Sequence, residues 1–326
     1  MEQVRIGIIG CGSASRIHYS RLRQLAGVKV VGCADPDHGS IDQFLAAAGS
    51  PIPTFSDHSE LLRTVKPDAL AIFTPHISHY KHTLDGLLAG CHVFVEKPLS
   101  TNVQEAVDIV NVARARGLKV GVGHQYRLYP SIAAARGLVA SGAIGSVHLV
   151  TATLTQPWLE THRGTENSWR FDAKVAGGGI LADSGDHMID ALLWSTGTHA
   201  LEVAAFQSKL TSGLDLVTAA AIRLSDGSMA NLGVAANSAG SLFELTFVGE
   251  LGRLRATENR LVQEGKDGTV EVLPLSSPIE TIDGNFIAAI RDGTPLCCPA
   301  EEALGTVRLI EAITRSATVG HIVRLG

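Results

Sequence analysis

Two short stretches carry side chains able to move a proton or hold a charge at a defined place. In FVEKPL, residues 94–99, an apolar run ends on Glu96, Lys97 and Pro98. A lysine at a strand end can set a point charge beside a developing alkoxide, while the proline after it ends the strand and is a candidate cis bond. In ILADSGDHMIDALLW, residues 180–194, helical spacing puts Asp183, Asp186, His187 and Asp190 on one face and Ile189, Leu192 and Leu193 on the other. Histidine suits proton transfer because its ordinary pKa, about 6.5, lies near working pH. Each stretch also has a bland reading: a solvated Glu-Lys pair at a strand end, and a surface helix with a stabilising Asp-His pair. Three carboxylates and one imidazole suggest a divalent ion as a third possibility, but the helix lacks a second histidine at ligand spacing and no metal is expected.

Lys97 closes one of a series of short apolar runs, at 4–9, 28–34, 69–74, 92–95 and 118–122. Helical patterns at 14–25, 41–48, 59–65, 78–88 and 103–116 separate them. Such alternation means βαβ units and a parallel sheet covered on both faces, so residues 1–123 are expected to form a doubly wound domain. The first run opens into GCGSAS, where Gly10, Gly12, Ser13 and Ala14 fit a tight strand-to-helix turn that brings backbone amides to a pyrophosphate; Ser15 stands at the third position of the fingerprint. Asp35 ends the second run, where a carboxylate would accept from an adenine ribose 2′-hydroxyl and repel a 2′-phosphate, so NAD is expected over NADP. Its other reading is a turn former in Asp35-Pro36-Asp37. Ligands of open α/β sheets sit outside the carboxyl ends of the strands, which aims Thr74, Pro75, His76, Glu96 and Lys97 at the cofactor.

From residue 124 the pattern changes. A helix at 131–140, a strand at 146–154, a polar, tryptophan-bearing loop at 157–176 and a helix at 181–195 precede β-like segments over 202–272. Hairpin turns at 225–227, 249–252 and 266–268 break those segments, and helices at about 280–292 and 300–318 close the chain. Residues 124–326 are therefore expected to be an α+β domain with a large, mainly antiparallel, open-faced sheet for substrate binding and oligomerisation. An apolar open face is costly to leave wet, which favours a homo-oligomer, a dimer or tetramer. Gly177 to Gly179 would allow close approach of a ligand or cofactor. Trp158, Trp169 and His162 would make a stacking platform for a ring or simply cover core, while His18, His79 and His82 read by type as packing or surface residues.

Of the 326 residues 45% are hydrophobic and 18% charged, the balance of a globular chain. The net charge of −5 comes without a basic run, which argues against nucleic acid and anionic membrane as partners. No apolar stretch reaches membrane-spanning length and no leader pattern opens the chain, so a cytoplasmic protein is expected. Cys11, Cys33, Cys91, Cys297 and Cys298 form no CxxC pair and read as reduced thiols.

The segments GIIGCGSASRIH, TPHISHYKHTLDGLLAGCHVFVEKPLS, WRFDAKVAGGGILADSGDHMIDALLW and RSATVGHIVRL together resemble the glucose-fructose oxidoreductase, inositol dehydrogenase and rhizopine-catabolism (Gfo/Idh/MocA) family over nearly the whole chain. The resemblance implies a Rossmann domain and an α/β domain whose open sheet often forms the subunit interface. It also implies NAD(P)-dependent hydride transfer to or from a secondary alcohol of a sugar, cyclic polyol or related carbohydrate. The family's Glu-Lys-Pro falls on Glu96, Lys97 and Pro98, and its Asp-x-x-x-His on Asp183 and His187, which makes Lys97, Asp183 and His187 the implied catalytic set. Arg127 and Arg170 resemble positions near the family's active site and, with Trp169, Asp183 and His187, are candidates to meet substrate; His79 joins the cofactor-side set. Two other readings use the same fold: NAD-dependent glycoside cleavage through transient oxidation, and a non-catalytic NAD-binding regulator.

Overall fold

The computed structural model describes residues 3–165, 168–210, 213–276 and 280–325. Its first stretch alternates strands β1 (Val4–Ile9), β2 (Val28–Ala34), β3 (Thr54–Phe55), β4 (Ala69–Ile72), β5 (His92–Val95) and β6 (Val120–Val122) with helices α1 (Ser13–Leu22), α2 (His38–Ala48), α3 (His58–Val65), α4 (His79–Leu88) and α5 (Val103–Arg116). There follow α6 (Pro130–Ala140), β7 (Val147–Thr155), the short helices α7 (Trp158–His162) and α8 (Ala173–Ala176), and α9 (Ser184–Thr196). Strands β8 (Ala200–Lys209), β9 (Asp215–Leu224), β10 (Met229–Ala235), β11 (Leu242–Gly249), β12 (Gly252–Thr257), β13 (Arg260–Gly265) and β14 (Val270–Val272) come next. Helices α10 (Ile282–Asp292) and α11 (Ala300–Val319) and strand β15 (Val323–Arg324) close the chain.

The chain divides into two compact units, residues 1–124 with 280–304, and residues 125–279 with 305–326. The sequence assigns 280–304 to the second domain; the structure groups it with the first unit. The reason is a long-range strand edge: Gly121 bridges to Pro299, and the Val122 amide donates to the Cys298 carbonyl at 2.9 Å.

In the first unit all strand pairs are parallel and lie in the order β3-β2-β1-β4-β5-β6. The order reverses at β1 and β4, which is where such sheets open a crevice for a dinucleotide. β4 is buried at every residue, as expected of a strand covered on both faces. β3, two residues long, is too short to show a period, and no apolar run marks it. Helix starts follow side-chain caps: Asp37 accepts from the Ser40 amide, Asp57 from those of Ser59 and Glu60, and Asn102 from that of Glu105. The cap on Asp37 starts α2 at His38, three residues before the apolar pattern begins at Ile41.

The second unit is built on nine strands in the order β14-β13-β12-β11-β7-β10-β9-β8-β15, antiparallel except for β7 with β10. Burial alternates along β9 from Thr218 to Leu224. The inward residues, such as Val150, Ile222, Leu232 and Phe247, share one core with Ile132 of α6, Ile189 and Leu192 of α9, and Leu309 and Ile313 of α11. On the outward side Phe206 is 82% exposed and Val217 46%. Phe206 stands in register with Ala219, which is in register with Gly233, a run of small residues beside one large ring. Among the described residues no helix is long and apolar enough to cross a membrane.

Candidate active site

At the end of β1 the chain turns on Gly10, whose φ of +88° and contact with the Phe73–Thr74 backbone leave no room for a side chain. Gly12 occupies the N-cap of α1 with no side-chain hydrogen bond, and nothing lies within 4 Å of where its Cβ would be. The first amides of α1 at Ser13 and Ala14 are thus approached through open space, a cradle that fits a pyrophosphate. Asp35 makes the turn read for it, its Oδ1 accepting from the Asp37 amide at 2.9 Å in an Asx turn, while Oδ2 accepts from the Cys11 amide at 2.8 Å and ties the residue to the glycine turn.

Thr74, Pro75 and His76 follow β4, with His76 buried and opening a short 3₁₀ turn. His79 lies fully inside: Nδ1 is 2.6 Å from the Pro98 carbonyl and Nε2 2.8 Å from the Thr74 carbonyl. Burial holds its pKa below the ordinary histidine value, against the pull of those two carbonyls. Both ring nitrogens stitch the end of β4 to the end of β5, which holds the His79 ring at the strand ends on the side expected to face the cofactor. Lys97 is 8% exposed, and the Lys97–Pro98 bond is cis.

In the second unit α9 begins at Ser184, one residue later than a face containing Asp183 requires. Asp183 stands at the N-cap with φ −93° and ψ −88°, and its side chain does not cap. It turns instead to the 157–176 loop, where Oδ2 accepts from Trp158 Nε1 at 2.8 Å and Arg170 Nε at 2.9 Å, with His162 Nε2 at 3.8 Å. Trp158 is 1% exposed and packs edge-on to His162, so it covers core; Trp169 is half-buried with the Arg170 guanidinium 4.3 Å above its ring. Glu166 and Asn167 of this loop lie outside the described residues.

The polar face of α9 is buried, which sets aside the bland surface-helix reading: Asp186, His187 and Asp190 are 0%, 7% and 1% exposed. Arg127 accounts for one of these acids, its Nε and Nη2 donating to the two Asp190 oxygens at 2.8 and 2.6 Å. Arg127 is 2% exposed, with its guanidinium 5.5 Å from the Trp194 ring, so its bidentate pairing with Asp190 is a buried one. Its neighbour Tyr126, which sequence reasoning passed over, stacks on the His187 ring at 4.4 Å and 10°. Burial, with Glu258 and Asp183 nearby, pushes the Tyr126 phenol above its ordinary pKa. The signal in HQYRLYP was the aromatic beside the arginine: a 3₁₀ turn sends consecutive side chains to His187 and Asp190, one helical turn apart.

Before α9, Gly179 admits a close approach by the protein's own backbone. A Cβ on Gly179 would collide with the Asp215 backbone, and the Gly179 and Leu181 amides donate to the Asp215 carboxylate at 2.8 and 2.9 Å. Strand β9 fills the space that the sequence left open.

Comparison with known proteins agrees with these two halves. Residues 4–124 match the family model for oxidoreductases with an NAD-binding Rossmann fold, and residues 132–255 match the Gfo/Idh/MocA C-terminal domain. The rhizopine catabolism protein MocA of Rhizobium meliloti is 26% identical over 321 residues, covering 96% of this chain and 95% of that one. D-Glucoside 3-dehydrogenase of Escherichia coli is 30% identical over 202 residues, 61% of this chain and 56% of that protein's length. A levoglucosan dehydrogenase solved with NADH and levoglucosan superposes with a TM-score of 0.89 at 19% identity, covering 99% of each chain, which shows a shared fold. With both domain models matched in order along the chain, this protein belongs to the Gfo/Idh/MocA family of NAD(P)-dependent oxidoreductases.

Proposed function

We propose that this enzyme transfers hydride between NAD and a secondary alcohol of a sugar, cyclic polyol or related carbohydrate. The observation that carries the reading is the buried imidazole of His187, stacked on Tyr126 one turn from Asp183, in a chain whose other unit is an NAD-binding Rossmann fold. The relatives named as dehydrogenases of D-glucoside, glucose 6-phosphate and levoglucosan support a carbohydrate alcohol.

Bound NAD supplies the hydride acceptor. Gly10, Gly12, Ser13 and Ala14 hold its pyrophosphate, and Asp35 binds the adenine ribose and disfavours NADP. Thr74, Pro75, His76 and Glu96 border the nicotinamide end. His187 takes the hydroxyl proton, Lys97 steadies the charge left on oxygen, and Asp183 keeps the substrate loop in place through Trp158 and Arg170. Arg170 and Trp169 are the substrate contacts offered by that loop. The outward sheet face around Phe206, Val217 and Ala219 is the surface through which copies pair into a homo-oligomer. A cytoplasmic setting belongs to the same proposal, supported by five free cysteines.

The test is a nicotinamide-reduction screen with NAD against inositols, aldoses, anhydrosugars and sugar acids, repeated with His187→Ala. Absorbance growth abolished by the substitution supports hydride transfer with His187 as base. Silence across the panel with NAD bound, followed by cleavage of a glycoside without net reduction, would replace this reading with transient oxidation.

A further inference from the structure

We propose that His18 is a positioning residue for the strand-end pair Glu96 and Lys97: clamped between two carboxylates from distant parts of the chain, its imidazole holds the Glu96 carboxylate beside the Lys97 backbone. The inference rests on the role given above to Lys97.

His18 lies on α1, two turns from the glycine turn, and is 6% exposed. Its Nδ1 is 2.6 Å from Asp283 Oδ1 on α10, and its Nε2 is 3.1 Å from Glu96 Oε1 at the end of β5. Two carboxylates can only accept, so both ring nitrogens must donate and the ring is an imidazolium. The rings of Phe73 and Phe94, with centroids 4.7 and 5.3 Å away, form the surrounding wall. Glu96 is enclosed on the far side by Gly123, where a Cβ would come within 2.6 Å of Oε1. The other Glu96 oxygen, Oε2, accepts from the Lys97 amide at 3.2 Å. An unbroken chain of contacts thus runs from α10 through His18 to the backbone of Lys97.

Charges around the ring are paired. Asp283 also receives Arg21 Nη1 at 3.5 Å from the next turn of α1, and Glu96 feels Lys97 and His79 as well as His18. Burial alone would depress the His18 pKa; the hydrogen bonds to Asp283 and Glu96 outweigh it and raise it to about 9. Because the folded value is raised, the pairing stabilises fully below the ordinary value of 6.5 and is lost as pH climbs through about 9. Glu96 is correspondingly held below the usual carboxylate range: burial opposes this, and the His18 hydrogen bond and charge prevail.

The first measurement follows the Cε1–Hε1 NMR resonance of His18 against pH in the wild-type protein, assigned through its contacts to the Phe73 and Phe94 rings. A ring charged at neutral pH that releases its proton near pH 9 supports the clamp. A ring already neutral at pH 7 overturns it. This readout requires neither substrate nor turnover, so it stands even if the screen for hydride transfer fails.

Kinetics then separate positioning from mere support. His18→Asn and Asp283→Asn should each lower kcat by roughly 10- to 100-fold while the KM for NAD moves less than about threefold. The double variant His18→Asn/Glu96→Gln should be no slower than Glu96→Gln alone, since His18 acts through Glu96. Multiplying losses in the double variant, or an NAD KM that rises as much as kcat falls, would overturn the inference.

Discussion

The chain uses glycine-rich approaches to two helix starts, and they serve opposite ends. Gly10-Cys11-Gly12 leads into α1, and the position of a Gly12 side chain is empty space before uncapped amides. Gly177-Gly178-Gly179 leads toward α9, and the position of a Gly179 side chain is the backbone of Asp215. One run keeps a volume clear for a ligand; the other lets a strand occupy it. The carboxylates beside them divide in the same way. Asp35 is tied by backbone amides to the edge of the cradle, whereas Asp183 holds a loop through Trp158 and Arg170. Glycine density therefore marks a close approach without saying whether ligand or protein makes it.

The largest expected effect separates chemistry from cofactor binding. His187→Ala, and independently Lys97→Ala, should reduce turnover by about 10²- to 10⁴-fold, the span usual for losing a proton-transfer or charge-stabilising group, while NADH fluorescence titrations stay near wild type. Loss of NADH affinity in step with turnover would assign these residues to cofactor binding rather than to chemistry.

Substituting the two glycines contrasts them directly. Gly179→Ala should cost about 1–3 kcal/mol or more in denaturant unfolding, because backbone rather than a pliable side chain must yield. Gly12→Ala should change stability by less than about 1 kcal/mol and act instead on NAD affinity. Equal destabilisation by both would deny that the first cradle is open.

Asp35→Ser should shift the NAD:NADP affinity ratio by about tenfold toward NADP by removing a charge that repels the 2′-phosphate. A ratio that does not move would leave Asp35 with its two backbone hydrogen bonds alone. The most local effect is expected from Trp158→Phe, which deletes one hydrogen bond to the Asp183 carboxylate while Arg170 keeps its own, and should cost about 1 kcal/mol, read as faster proteolysis within residues 157–176 rather than as global unfolding.

Much of the first unit was legible because its signals are local. Apolar runs buried on both faces, a glycine turn and an aspartate at the next strand end are each settled by neighbours a few residues away. The start of α2 moved where the Asp37 cap overruled the apolar pattern, while α1 stopped at Leu22, three residues before its pattern ended. At α9 the helical period correctly put His187 and Asp190 on one face, yet it could not report that this face is buried, or that Asp183 falls just outside the helix.

What the residues alone determined, then, is the order of elements, the cradle, and the acid and imidazole groups available for chemistry. The tertiary structure decided which of them are spent inside the protein. Arg127 finds Asp190 across 63 residues, Gly179 finds Asp215 across 36, and His18 meets Asp283 across 265. Periodicity fixes the direction of a side chain relative to its own element, but a partner is set by where the chain returns in space, and that is determined by the packing of whole elements around a shared core.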